Sequence, residues 1–188
     1  MSDLEQILRT YEAQLVTRKK ERVLVVALDG RVLLQKDGGR AKIRFTHTET
    51  KFFSGNVITH NHPPERHAEY VDGRVVYFEV GYALSPRDLQ LAVERDVTEV
   101  RCVTREVIDG VQHTTVHRVV RPTAGPGGGW PPPARVDNVL RATANDGRAA
   151  PAEQTNVPFS EFVTRAAYTA WVEAARLLGL SYERVVLA

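Results

Sequence analysis

Apolar positions along this chain follow first a helical period, then an alternating one, and the switches between them give the order of elements. Leu4, Ile7, Leu8, Tyr11 and Leu15 recur at helical spacing. Residues 3 to 16 are therefore predicted as an amphipathic helix, opened by a capping box of Ser2 and Glu5. Two β-branched, apolar runs then flank Asp29-Gly30, a pair that accepts the positive φ angles of a type I′ turn. They predict a hairpin with strands at roughly 22 to 28 and 31 to 36. "AKIRFT" (41–46) reads as a further strand, and "NVITHNH" (56–62) as one that Pro63 and Pro64 end, because proline cannot donate to a ladder.

Beyond the prolines, "AEYVDGRVVYFEV" (68–80) predicts another hairpin, around Asp72-Gly73 and projecting from the body. "SPRDLQLAVERD" starts a helix with Ser85 as N-cap and Pro86 at the first helical position. "TEVRCVT" and "VQHTTVHRVV" are strands joined near Asp109-Gly110. From "NVITH" through the Ser85 helix to "VRCVT", the order and length are those of a βαβ crossover.

"RPTAGPGGGWPPPA" (121–134) is the one low-complexity stretch and reads as a linker, loosened by glycine and stiffened by proline. After it come a weak helix near 135 to 143 and a strong one at about 161 to 178 that ends at Gly179. Phe162, Ala166, Ala170, Trp171, Ala174, Leu177 and Leu178 give the second helix a broad apolar face. That face should pack on the domain, and "YERVVLA" is a candidate edge strand. The expected organisation is a domain at 1–120, the linker at 121–134, and a C-terminal helical extension at 135–188 packed on the same domain. The fold class is α/β, a mixed sheet flanked by helices with an inserted hairpin.

Composition narrows the chemistry. At 188 residues and 43% hydrophobic content the chain can bury a real core. One cysteine, Cys102, excludes a disulfide framework and a four-cysteine zinc site, so any metal must rely on histidine and carboxylates, and a cytoplasmic setting is expected. No signal-peptide-like or membrane-spanning apolar run occurs in the sequence. The net charge is only +2 and the basic residues are scattered, which argues against nucleic acid as a partner.

Three of the six histidines fall within residues 60 to 67, in "HNHPPERH". On a strand, residues i and i+2 share a face, so His60 and His62 present two imidazoles to one place while Asn61 faces away. Two such ligands suit a catalytic zinc, which takes three protein ligands and leaves a fourth position to water. Asp88, in the first turn of the crossover helix, is the nearest organised third ligand, with Ser85 on the same turn. Hydrolysis also needs a carboxylate base, and Glu21, opening the first strand, is a candidate.

A glutamate before "VLVVALDG", then "THNHP", then "SPRD" together resemble the JAB/MPN (JAMM-type) metalloprotease-like family, whose motif is a glutamate, His-x-His-Pro and Ser-x-x-Asp. The spelling is most similar to the RadC-like branch and to phage-associated HNHP variants. The resemblance spans about residues 20 to 105. It implies a three-layer, cytidine-deaminase-like arrangement, zinc held by His60, His62 and Asp88, Glu21 as general base, and Ser85 stabilising the oxyanion. It also implies cleavage of peptide or isopeptide bonds, with a protein or extended peptide tail as substrate. Two departures stand out: an extra hairpin between His62 and Ser85, and no evident helix between the glutamate strand and the histidine strand, which leaves Glu49 as a rival base.

Each residue also has a plainer reading. Ser85-Pro86-x-Asp88 is on its own a good helix start, and Glu21 is also a plausible solvated charge beside "RKK". His67, His113 and His117 read as surface residues, and Cys102 among alternating valines as a buried small hydrophobe. The alternative to a hydrolase is a non-catalytic scaffold or partner-binding domain of the same fold. The letters "HNH" do not make a nuclease without spaced ligands and a basic face, and deaminase chemistry lacks its cysteine pair.

Overall fold

In a computed structural model the described residues are 3–39, 43–71, 73–123, 128–148 and 159–187. The expected cap Ser2 lies outside them, and the first helix, α1, runs Asp3–Leu15. Strands β1 (Arg22–Val26) and β2 (Val32–Asp37) form the foreseen hairpin, but not with a type I′ turn. Gly30 donates to the Ala27 carbonyl at 2.8 Å with φ +88°, and Asp29 has no positive φ. A turn followed by a bulge results, with the register slipping between Val25 and Val26. The positive φ favours glycine at this position, and Ile7 of α1 lies directly over it.

The strand expected at 41–46 is not found. Residues 41 and 42 lie outside the described set, and 43–46 are not in a strand. Thr46 instead caps a short helix, α2 (His47–Thr50), in a reciprocal box with Glu49. This one-turn helix stands where none was evident in the sequence.

β3 (Val57–Asn61), the projecting hairpin β4 (Glu65–Val71) and β5 (Arg74–Val80), α3 (Pro86–Glu94) and β6 (Glu99–Ile108) follow. β3 and β6 are parallel, as the crossover reading requires. β7 (Val111–Val120) returns antiparallel through a two-residue turn in which Asp109 and Gly110 have φ of +51° and +74°. The positive pair of a type I′ turn therefore occurs here.

The C-terminal part is more than a helical extension. α4 (Pro133–Arg148) begins inside the supposed linker, since the last proline of the run takes the first helical turn, where no donor is needed. α5 (Phe159–Leu178) leads into β8 (Ser181–Leu187), which pairs with β7 from Ser181 opposite Val120 to Leu187 opposite Thr114. The chain is thus mixed α/β, with a six-stranded sheet ordered β2-β1-β3-β6-β7-β8 and the β4–β5 ribbon apart from it.

Helices cover both faces. On one, Leu8, Leu15 and Val16 meet Leu24, Val26, Val57, Val103 and Val116. On the other, Leu89, Val136, Leu140, Trp171 and Leu178 meet Val23, Val25, Ile58, Val100 and Cys102. Trp130 docks the linker, its Nε1 donating to the Val97 carbonyl at 2.7 Å. The α1 face also holds a charge network. Arg101, 1% exposed, donates from Nε to Glu12 at 2.6 Å and from Nη1 to Glu5 at 3.0 Å and Glu99 at 2.7 Å. Among the described residues no helix is long and apolar enough to cross a membrane.

Candidate metal centre

Strand alternation sends His60 toward α3 and leaves Thr59 and Asn61 on the α1 side. The strand ends at Asn61, but the His62 amide still donates to the Val103 carbonyl at 3.3 Å, which keeps the second imidazole on the first one's side. The two Nε2 atoms stand 3.2 Å apart. His62 Nδ1 lies 2.9 Å from the Ala83 carbonyl and 3.0 Å from that of Tyr82. Carbonyls only accept, so Nδ1 carries the hydrogen and the Nε2 lone pair faces inward, as in metal-bound histidines.

Asp88 is the third residue of α3, and its role there is double. Its Oδ2 accepts from the Ser85 amide at 2.6 Å, while its own amide donates to Ser85 Oγ at 3.3 Å. The same Oδ2 is 3.4 Å from His60 Nε2 and 3.6 Å from His62 Nε2. The helix-start bonds and the approach to both imidazoles, opposed in the sequence reading, are geometrically compatible in one side chain.

Glu21 precedes β1 and is fixed by backbone bonds with Gly38 and Gly39. Asn61, fully buried, clasps the same segment: Oδ1 accepts from the Arg22 amide at 2.8 Å and Nδ2 donates to the Lys20 carbonyl at 3.2 Å. The residue between the histidines thus ties their strand to the glutamate, a role that sequence reasoning missed. Glu21 is 8% exposed, and its Oε2 is buried without a hydrogen-bond partner among the described residues. With His60, His62, Ser85 and Asp88 it lines one cavity of about 890 Å³, whose other walls include Phe45, Ile58 and Leu91. Glu49 does not line this cavity; it bonds Lys36 Nζ at 2.7 Å and the α2 cap.

The ionisable groups of the site shift one another strongly. Burial pushes the Glu21 carboxyl up, with His60 and His62 opposing. Burial also opposes ionisation of Asp88, yet the charge of His60, followed by that of His62, holds its carboxyl well below the usual range. At His62, burial is outweighed by Cys102 and the ring is pushed up to about 9. Two facing N–H groups cannot share a gap of 3.2 Å between nitrogens, so the gap suits either one shared proton or one cation between the two nitrogens.

Spacing gives a further test of fit. Donor atoms on a tetrahedron at zinc–ligand lengths of about 2.0–2.2 Å stand roughly 3.3–3.6 Å apart. The three separations here are 3.2, 3.4 and 3.6 Å.

Two sequence expectations need correction. His117 is not on the surface but 0% exposed, with Nδ1 at 2.7 Å from the Tyr182 hydroxyl and Nε2 at 3.0 Å from Glu106. Cys102 is buried as expected, but it is more than a small hydrophobe. It lies opposite His60 on the neighbouring strand, and its sulfur and the ligand nitrogens of His60 and His62 all fall within 4.8 Å of one another. The period-2 pattern of "VRCVT" put its side chain on one face, but only the register between β3 and β6 reveals what it faces. His67 and His113 lie on strands, partly exposed.

No protein family, no curated protein and no solved structure matches this chain.

Proposed function

We propose that the chain is a zinc-dependent hydrolase of peptide or isopeptide bonds, built on a JAB/MPN-like three-layer arrangement, with His60, His62 and Asp88 holding the metal. The observation that carries this reading is the near-tetrahedral spacing of three donor atoms beside a buried, unpartnered carboxylate. Held by His60, His62 and Asp88, zinc would supply Lewis acidity toward water and the scissile carbonyl.

The chain's own groups do the rest. Glu21 takes the proton from the attacking water and returns it to the leaving amine, a task that suits a carboxyl raised by burial. Ser85 Oγ already accepts from the Asp88 amide, so its O–H remains to donate to the developing oxyanion. His62 is held in register by the Tyr82 and Ala83 carbonyls, and Asn61 keeps Glu21 against the histidine strand.

Protein purified without chelators should contain about one zinc per chain, and Glu21→Gln should keep it while losing peptide-bond hydrolysis at least about a hundredfold. Elemental analysis and cleavage of a degenerate peptide library measure the two. Less than about a tenth of an equivalent after zinc is offered would reject the metal site. Undiminished hydrolysis by the glutamine variant would reject the mechanism.

The alternative, a non-catalytic partner-binding domain, is favoured by one observation. The β4–β5 ribbon, rooted between His62 and Ser85, exposes Tyr70 (77%), Val75 (56%) and Tyr77 (56%). Replacing residues 66–80 by a short glycine loop should leave zinc bound, because the Tyr82 and Ala83 carbonyls and α3 remain. Loss of metal in that variant would make the ribbon part of the site's frame and not an appendage.

A further inference from the structure

The two histidines face a second candidate ligand that the three-residue site does not use. Cys102 is 0% exposed and lies opposite His60 in the parallel β3–β6 register, so their side chains leave the sheet on the same face. Its sulfur lies 3.9 Å from the Tyr82 carbonyl and 3.8 Å from the Val103 carbonyl, separations at which a thiol is weakly engaged, and it also interacts with the His60 and His62 rings. Sulfur and histidine nitrogens lie within 4.8 Å of one another. Around a tetrahedral zinc, with bonds of about 2.3 Å to sulfur and about 2.0–2.1 Å to nitrogen, those atoms stand roughly 3.5 Å apart. Closing the difference takes a shift of about one ångström in a short side chain.

Resting on the zinc reading above, we infer that the Cys102 thiolate is a fourth protein ligand, closing the coordination sphere from the sheet side opposite the cleft. The thiol proton leaves to solvent on coordination, and the resting centre then holds its metal with two nitrogens, one oxygen and one sulfur. Four protein ligands are the pattern of a closed, structural zinc, whereas hydrolysis needs an open position. Hydrolysis at such a centre would require Cys102 to give way to water; Cys102 is a ligand here and does not itself attack substrate. A soft sulfur donor would also make the site retain thiophilic metals that a purely nitrogen and oxygen set would hold less well.

Cobalt(II) is the probe, because a thiolate ligand adds a near-ultraviolet charge-transfer band that nitrogen and oxygen ligands lack. The chain loaded with one cobalt should show that band, and Cys102→Ser should abolish it while keeping a tetrahedral visible spectrum. Competition with a chromophoric chelator should show zinc held at least about tenfold more weakly by Cys102→Ser. Cys102→Ala guards against a folding artefact, since it removes sulfur without adding a buried hydroxyl and should match the serine variant. A wild-type cobalt spectrum without the band, or equal zinc affinity in all three proteins, overturns the inference and leaves the His60, His62 and Asp88 site standing. Failure of cobalt and zinc to bind the wild-type chain at all would instead overturn the zinc reading on which it rests.

Discussion

Asp88→Ala is expected to bind zinc at least about a hundredfold more weakly than the wild-type chain. The substitution removes the oxygen that stands 3.4 and 3.6 Å from the two imidazoles, leaving His60 and His62 with Cys102 as a further candidate ligand. Changes outside the ligand shell already cost about 10–100-fold in metal affinity, so loss of a ligand should cost at least about a hundredfold. At zinc a hundredfold above the wild-type Kd, metal adds about 2.7 kcal/mol to stability, which this variant forfeits. It also forfeits the bond from the Ser85 amide, worth about 1 kcal/mol. Ser85→Ala is the matched control: it removes the other half of the box, costs about the same, and should keep its zinc. Thermal melts with and without zinc, together with elemental analysis, separate the two. Equal zinc content and similar melting temperatures would reduce Asp88 to a helix-start residue.

The second large effect lies on the opposite face. Arg101→Ala should cost about 3–5 kcal/mol, because it leaves Glu12, 0% exposed, as a buried charge without its cation, and takes one of their cations from Glu5 and Glu99. Arg118, at 3.4 Å from Glu5 and 3.7 Å from Glu99, answers only those outer two. The double change Arg101→Met with Glu12→Leu should recover most of the loss, since a buried pair replaced by apolar side chains is often near neutral. The metal centre should be untouched in whatever fraction stays folded, because Arg101 and Cys102 point to opposite faces of β6. A loss below about 1 kcal/mol in chemical denaturation would mean that Glu12 finds another partner or takes up a proton.

What could be read in the sequence was local. His60 and His62 share a face because a strand alternates, and Ser85, Pro86 and Asp88 open a helix because each suits its position there. Both facts need fewer than about five residues of context. The crossover also announced itself, by the order of patterns. What stayed hidden depends on register. His60, Cys102, His117 and Arg184 form one row across four strands, and no local pattern says which residue of β6 or β7 stands opposite which of β3 or β8. So Cys102 looked inert, His117 looked exposed, and Arg101 looked like one basic residue among many. Asn61 was set aside as facing away from the histidines. Its backward orientation is what lets it grip the segment carrying Glu21. Thr46 carried a local signal that was passed over: Thr-x-x-Glu is a capping box, and it ends the extended run at 43–46.

The Trp171 indole donates to the Leu84 carbonyl at 2.8 Å, pinning the loop that supplies the two carbonyls beneath His62. In time rather than space, this means that the site is finished late. Trp171 follows Leu84 by 87 residues, a wait of several seconds at roughly 5–20 residues per second of synthesis. β8, which completes the sheet, comes later still. A nascent chain that has already exposed both histidines and Asp88 lacks the brace on the loop beneath the His62 ring, so the frame of the candidate site is complete only after Trp171 has been made.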